Sequence, residues 1–289
     1  MTGLVAGAWV RCRLSISMVV VAAFVSACAS SGGSIDEAVY SVAPTTAKYA
    51  AIVVDEKSGK MLYGANVNEA RYPASLTKMM TVYMLFEAMD QGRISRDTPI
   101  PISRNAARRP PSKLGLKAGQ SIPVDTAIRV LVVKSANDVA TAVGEFLGEG
   151  SEARFAEMMT AKARTLGMSR TTFKNASGLP DSGQVSTAAD MARLSITLRR
   201  KFPQYYSYFG QTEVTVAGRT IKGHNKALKM IPGADGLKTG YTRASGFNLA
   251  TSVRRQGKSV VGVVMGEDKA SIRDARMTQL MSAYIKRAK

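Results

Sequence analysis

The chain has 289 residues, 45% of them hydrophobic, and a formal net charge of +19. That is enough apolar mass for one large domain or two interleaved lobes, and too much for a disordered chain. The 40 basic residues are spread without a long Lys/Arg block or interleaved aromatics, which argues against a nucleic-acid partner. The charge reads as a solvated basic surface, with attraction to an anionic envelope as the functional alternative.

Arg11 and Arg13 form a positive n-region before a mostly apolar run, Leu14 to Val25, that is too short to favour a spanning helix. Small residues follow in Ser26-Ala27-Cys28-Ala29. Residues 1–28 therefore read as a bacterial export signal, which would place the mature protein in the periplasm or cell envelope. Val25 to Cys28 fits a lipoprotein signal with Cys28 lipidated, and membrane association would then run through the N-terminus. Ala27-Cys28-Ala29 fits ordinary cleavage equally well. Residues 29–46 are rich in Ser, Gly, Ala and Thr and read as a flexible tether.

Cys12 and Cys28 are the only cysteines and His224 the only histidine. No disulfide and no Cys- or His-rich metal site is expected in the exported domain, and no metal or cofactor is called for. A Ser-His-Asp triad would rest on His224 alone.

Tyr49 to Val54 reads as a strand, and Lys60 to Gly64 as its hairpin partner. A helix is expected from Pro73 and Ser75 to Gln91, stopped by Gly92, and apolar on most sides, hence buried. Val124–Val133 and Asp138–Leu147 read as helices around a Ser135-Ala136-Asn137 turn. Glu152–Leu166 and Thr187–Lys201 follow as helices. Thr212–Val216 and Arg219–Lys222 form a hairpin, and Gly236–Thr242, Phe247–Arg254 and Ser259–Met265 are strands. Ala270–Arg287 is a final helix, expected to pack on the sheet rather than on a membrane surface. The first and last strands can share one sheet, with the helical block of about residues 70–205 inserted as a second lobe. Residues 47–289 would then be the catalytic domain.

Three short motifs carry the chemistry. Ser75-Leu76-Thr77-Lys78 places a hydroxyl and an amine about 60° apart on one helix side. Serine needs a base, and lysine serves only if burial or a neighbouring cation lowers its pKa; Lys238 is a candidate for that cation. Ser135-Ala136-Asn137 offers a hydroxyl for proton transfer to a leaving amine, and an amide that binds substrate or orients Lys78. Lys238-Thr239-Gly240 lies on a strand; Lys238 and Thr239 would hold a carboxylate, and Gly240 admits close approach. Taken singly, these read as a helix start, an N-cap and a charged edge strand.

All three, in this order, resemble the active-site serine penicillin-binding proteins and serine β-lactamases. The contexts Pro73 to Lys78, Lys134 to Asp138 and Gly236 to Thr242 are most similar to the D-alanyl-D-alanine carboxypeptidases. Asn175 to Leu179, Ser186-Thr187-Ala188 and His224-Asn225 match as well. The resemblance implies an α+β, β-lactamase/transpeptidase-like fold: an antiparallel sheet of about five strands flanked by helices. It implies that Ser75 is acylated by the penultimate D-Ala of a peptidoglycan stem peptide, with Lys78 as general base, and that terminal D-Ala is released. Backbone N–H groups of Ser75 and Tyr241 would form the oxyanion hole, Thr242 would belong to the substrate strand, and β-lactams would be covalent inhibitors. A basic residue would hold the substrate carboxylate, with Arg243, Arg254 and Arg255 as candidates. His224 is expected to be structural or supporting. Many relatives carry a further β-rich domain and an amphipathic anchor, and this chain is expected to lack both.

Rival readings are a transpeptidase or a β-lactamase using the same acyl-enzyme, or an inert wall-binding protein. No E-x-x-L-N-like motif lies between Asn137 and Lys238, and Ala136 stands in the middle of S-x-N; both weigh against a class A β-lactamase. The full set of catalytic side chains weighs against an inert binder.

Overall fold

The computed structural model describes residues 46–289. The expected export signal, Cys28 and all of the tether but Thr46 lie outside the described residues.

Two-residue alternation along β1 (Ala50–Asp55) sends Ala50, Ile52 and Val54 to one side and Ala51 and Val53 to the other. Both sides are apolar and buried, so β1 sits inside a covered sheet. β2 (Met61–Ala65) returns beside it as the expected hairpin partner. The chain then leaves the sheet. β3 (Pro99–Pro101) and β4 (Ser121–Pro123) make a small separate pair, and β5 (Glu213–Val216) with β6 (Arg219–Lys222) another. It re-enters through β7 (Ala234–Thr242), β8 (Gly246–Arg255) and β9 (Lys258–Glu267). The sheet order is β2-β1-β9-β8-β7, antiparallel throughout, so β2 and β7 are its edges.

The longer intervening helices are α1 (Lys78–Asp90), α2 (Val124–Val133), α3 (Asn137–Leu147), α4 (Glu152–Thr165) and α5 (Ala188–Lys201), and α6 (Ala270–Tyr284) follows the sheet. One core packs α6 against the sheet through Leu249, Val253, Val260, Val264, Met277, Leu280, Met281 and Tyr284. The apolar side of the last helix thus meets the sheet, as its spacing predicts. The other core joins the opposite sheet face to α1–α5. α1 is buried from Lys78 to Ala88, consistent with its lack of a polar face.

Two details depart from the sequence reading. Ser75 is not in the α-helix but in a 3₁₀ turn, Ala74–Thr77, and α1 starts at Lys78. Asn137 is not in the turn but opens α3. The α+β fold with five antiparallel strands is as expected.

Candidate active site

The turn that carries Ser75 is held from three directions. Ala74 adopts a left-handed φ of +47°, a conformation that L-residues keep only when surroundings impose it. Asn248 of β8, fully buried, donates through Nδ2 to Tyr72 O (3.0 Å) and Pro73 O (3.1 Å), while its Oδ1 accepts from Gly266 N–H (2.9 Å). Gly240 of β7 lies flat against the same segment; a Cβ there would stand 3.1 Å from Ser75 N. The 3₁₀ geometry nearly eclipses positions i and i+3. It therefore aligns Ser75 and Lys78 better than the 60° offset of an α-helix.

Lys78 Nζ lies 3.2 Å from Ser75 Oγ, 2.8 Å from Asn137 Oδ1 and 2.5 Å from Ser177 O. Two of these partners are acceptors only. A neutral amine has two N–H groups for them and one lone pair left to accept the Ser75 O–H. Burial pushes Lys78 well below the ordinary lysine range, and the like charge of Lys238 adds to this; Asp138 and Glu152 pull the other way. Ser177 O is aimed by Asn175, whose Oδ1 accepts from Ser177 N (3.2 Å) and Gly178 N (2.8 Å) while its Nδ2 donates to Leu179 O (3.0 Å). Asn137 Nδ2 donates to Pro110 O (3.0 Å), which fixes its amide orientation. Ser135 is buried, has a φ of +61°, and its Oγ has no hydrogen-bond partner among the described residues.

Lys238 lies on the edge strand, as its motif predicts, but it is only 2% exposed and so is not a solvated edge lysine. Its Nζ donates to Thr239 O (3.0 Å). Burial and the nearby Arg273 lower its pKa to about 7. Ser75, Ser135, Asn137, Thr239, Gly240, Tyr241 and Thr242 all line one cleft of about 600 Å³, bounded also by His224, Lys226 and Arg273. Lys78 and Lys238 lie buried behind it. Among the described residues, no three His, Cys, Asp or Glu side chains cluster as a metal site would require.

Arg254 and Arg255 end β8, six and seven residues beyond Asn248, or roughly 20 Å along the strand. Neither lines the cleft, and Arg254 faces Glu56. Arg243 is exposed in the β7–β8 turn and also does not line it. The arginine that does is Arg273 of α6, 5% exposed, with Nε and Nη2 on Asp274 Oδ1 (2.9 and 2.6 Å). It was missed because its helix is read as packing alone. His224 is exposed on the cleft wall rather than built into the core. Burial on its inner side, then Lys238 and Lys134, lowers its pKa.

A family model described as D-alanyl-D-alanine carboxypeptidase matches residues 37–269. The chain belongs to the D-alanyl-D-alanine carboxypeptidase family. Carboxypeptidase DacF of Bacillus subtilis is 34% identical over 236 residues, covering 80% of this chain and 60% of the relative. Carboxypeptidase DacD of Escherichia coli is 34% identical over 237 residues, covering 80% and 61%. The chain thus spans about three fifths of these family members. Among solved structures, DacD of Francisella tularensis superimposes with a TM-score of 0.79 at 29% identity, covering 82% of this chain and 70% of that one. Penicillin-Binding Protein D2 of Listeria monocytogenes, in its ampicillin-bound form, gives 0.74 at 32%, covering 81% and 96%.

Proposed function

We propose that this protein is a serine DD-carboxypeptidase that removes the terminal D-Ala from peptidoglycan pentapeptide stems. The carrying observation is the environment of Lys78, whose three polar neighbours suit a neutral amine next to the Ser75 hydroxyl. Ser75 gives its proton to Lys78 and attacks the penultimate D-Ala carbonyl carbon. The oxyanion sits between the backbone N–H groups of Ser75 and Tyr241. The proton passes to the departing amine nitrogen through Ser135, whose hydroxyl has no other partner among the described residues. The C–N bond breaks and D-Ala leaves. Water then attacks the ester, Lys78 takes its proton, and Ser75 is regenerated.

The stem lies along the free edge of β7, with Gly240 and Thr242 beneath it. Its terminal carboxylate meets the Thr239 hydroxyl, with Lys238 and Arg273 supplying positive charge. Asn137 holds Lys78 in place. β-Lactams acylate Ser75 in the same cleft, a reading supported by relatives solved in ampicillin- and cefotaxime-bound forms. Residues 47–289 act as the catalytic domain, with the lobe of about 70–205 inserted in the sheet lobe. The leader and Cys28 provide export and, if lipidated, the anchor; among the described residues no helix is long and apolar enough to cross a membrane.

The test is D-Ala release from a pentapeptide muropeptide, with Ser75→Ala alongside. Release by the parent and none by the folded variant supports the reading. Penicillin labelling without release indicates a transpeptidase that needs an acceptor amine. Neither reaction sinks the enzymatic reading.

A further inference from the structure

The sheet has two ends, and the cleft occupies one of them, where Gly240 of β7 and Asn248 of β8 meet the segment that carries Ser75. At the other end the β1–β2 turn lies beside the β8–β9 turn. Asp55 pairs with Val260, and Glu56 N–H donates to Ser259 O (3.0 Å). The end of α5 joins them, since Arg200 donates to Glu56 O and to Lys57 O (3.2 Å). So does the turn after α6, where Lys286 O accepts from Lys258 Nζ (2.6 Å). Along β8 this end is roughly 20 Å from Asn248, at about 3.3 Å per residue.

Four segments distant in sequence thus converge on one face. It carries Lys57, Lys60, Arg200, Arg254, Arg255 and Lys286, all exposed. The acids of the same segments, Asp55 and Glu56, are 1% and 6% exposed and are turned inward. Asp55 accepts from Lys57 N–H (2.9 Å) and Lys289 N–H (3.0 Å), and Glu56 is shared by Ser259 and Arg199. Asp235, partly exposed at the edge of this face, is held by Arg199. Lys57, Lys60, Arg255 and Lys286 form no ion pair among the described residues. On the helical lobe, by contrast, Arg109, Arg129 and Arg154 each face a carboxylate: Glu152, Asp125 and Glu149. Positive charge is partly cancelled there and uncancelled here.

An apolar element sits in the same face. A groove of about 520 Å³ between β1, β2 and α5 is lined by Ile52, Val54, Met61, Leu166 and Ile196, and it reaches the basic end at Gly59 and Arg200. No acidic side chain lines it, and Met61 stands 52% exposed next to Lys60. Exposed apolar surface ringed by cations suits a contact with a membrane surface; a soluble polyanion would leave the apolar part unused.

We propose that this end of the sheet docks on the surface of a bilayer containing anionic phospholipid. Lys57, Lys60, Arg255 and Lys286 meet the headgroup phosphates, while Met61 and the open end of the groove enter the acyl boundary. Docking by this face leaves the cleft pointing away from the bilayer. The inference stands apart from the chemistry of the cleft and from lipidation of Cys28.

The test is co-sedimentation with phosphatidylcholine vesicles that contain or lack phosphatidylglycerol. The mature chain from residue 28 is used with Cys28→Ser, so that no acyl group contributes. Each basic residue at an anionic surface is worth about 5-fold in partition, so Lys57→Glu/Arg255→Glu/Lys286→Glu should weaken binding to the anionic vesicles about 100-fold or more. Arg104→Glu/Arg108→Glu/Lys117→Glu changes the net charge equally on exposed positions of the helical lobe and should retain most of the binding. Met61→Ser should weaken vesicle binding several-fold through the lost apolar contact and leave binding to soluble polyphosphate unchanged. Thermal melts should be the same in all of them; where a glutamate variant melts early, the corresponding glutamine variant carries the same comparison. No binding by the parent, equal binding to both vesicles, or equal loss in the two triple variants overturns the docking face. Binding that the first triple variant loses but Met61→Ser keeps in full overturns the membrane as partner and points to a soluble polyanion.

Discussion

Gly178 lies directly against the carbonyl of Ala74: a Cβ on Gly178 would come within 1.9 Å of Ala74 O. Gly178 also has a φ of +83°. The loop that aims Ser177 O at Lys78 is thereby pressed onto the residue that precedes Ser75. Gly178→Ala must move one or the other, and both are backbone. We expect a loss of about 1–3 kcal/mol in stability from strain alone. The penicillin acylation rate should fall further than the melting temperature implies. Acylation at parent rates in a variant of parent stability would mean that the contact does not position Ser75.

Lys78 and Lys238 are both lysines whose burial favours the neutral form. For Lys238 the folded value is about 7 against 10.5 for an ordinary lysine. Between those values the unfolded chain binds more protons, so stability rises with pH across that window and the penalty is fully present below it. The slope for one such group reaches at most about 1.4 kcal/mol per pH unit. Lys238→Met should flatten this rise in urea unfolding measured from pH 7 to 10. The substitution also removes the like charge acting on Lys78, so the acid limb of β-lactam acylation should move to higher pH. A limb that stays in place would show that burial alone sets the state of Lys78.

Most of the fold was legible because its periodicities are unmixed. The nearly unbroken apolar run of β9 and the apolar side of α6 leave one sensible partner each, and both cores follow. What escaped is short or made of backbone. β3 and β4 have three residues each, with prolines in both, and offer no period to detect. The left-handed φ of Ala74 and Ser135 carries no residue-type signal, because neither is glycine. Ser177 contributes a carbonyl, which every residue has. Arg273 lies 35 positions from Lys238 and reaches the cleft only once α6 is docked, so no local pattern marks it.

Asn137→Ala removes the acceptor of one Lys78 N–H and the donor to Pro110 O together. Leaving a buried donor unpaired costs about 1–3 kcal/mol, which a thermal scan should register as a drop in melting temperature. Because Lys78 can then turn away from Ser75, acylation should slow by about 10-fold or more, on the scale of a general-base contribution. Asn137→Asp is the informative companion. Its carboxylate still accepts from Lys78 but favours the charged amine, so the acid limb of acylation should move to higher pH. If both variants acylate like the parent, Asn137 serves folding only.

Arg273 is held by Asp274 and presents its charge to the cleft beside Thr239. If it receives the terminal carboxylate, its effect depends on that carboxylate being present. Arg273→Gln should raise KM at least ~10-fold for a peptide ending in free D-Ala, by the 1.5–3 kcal/mol typical of a charge-assisted bond. For the corresponding C-terminal amide the change should be small. Arg273→Lys should recover the protein only in part, since a lysine keeps the charge but lacks the planar fork that Asp274 grips from one side. Because Arg273 also lowers the pKa of Lys238, the two variants should differ in pH profile. Equal losses on acid and amide would move Arg273 from substrate binding to the support of α6.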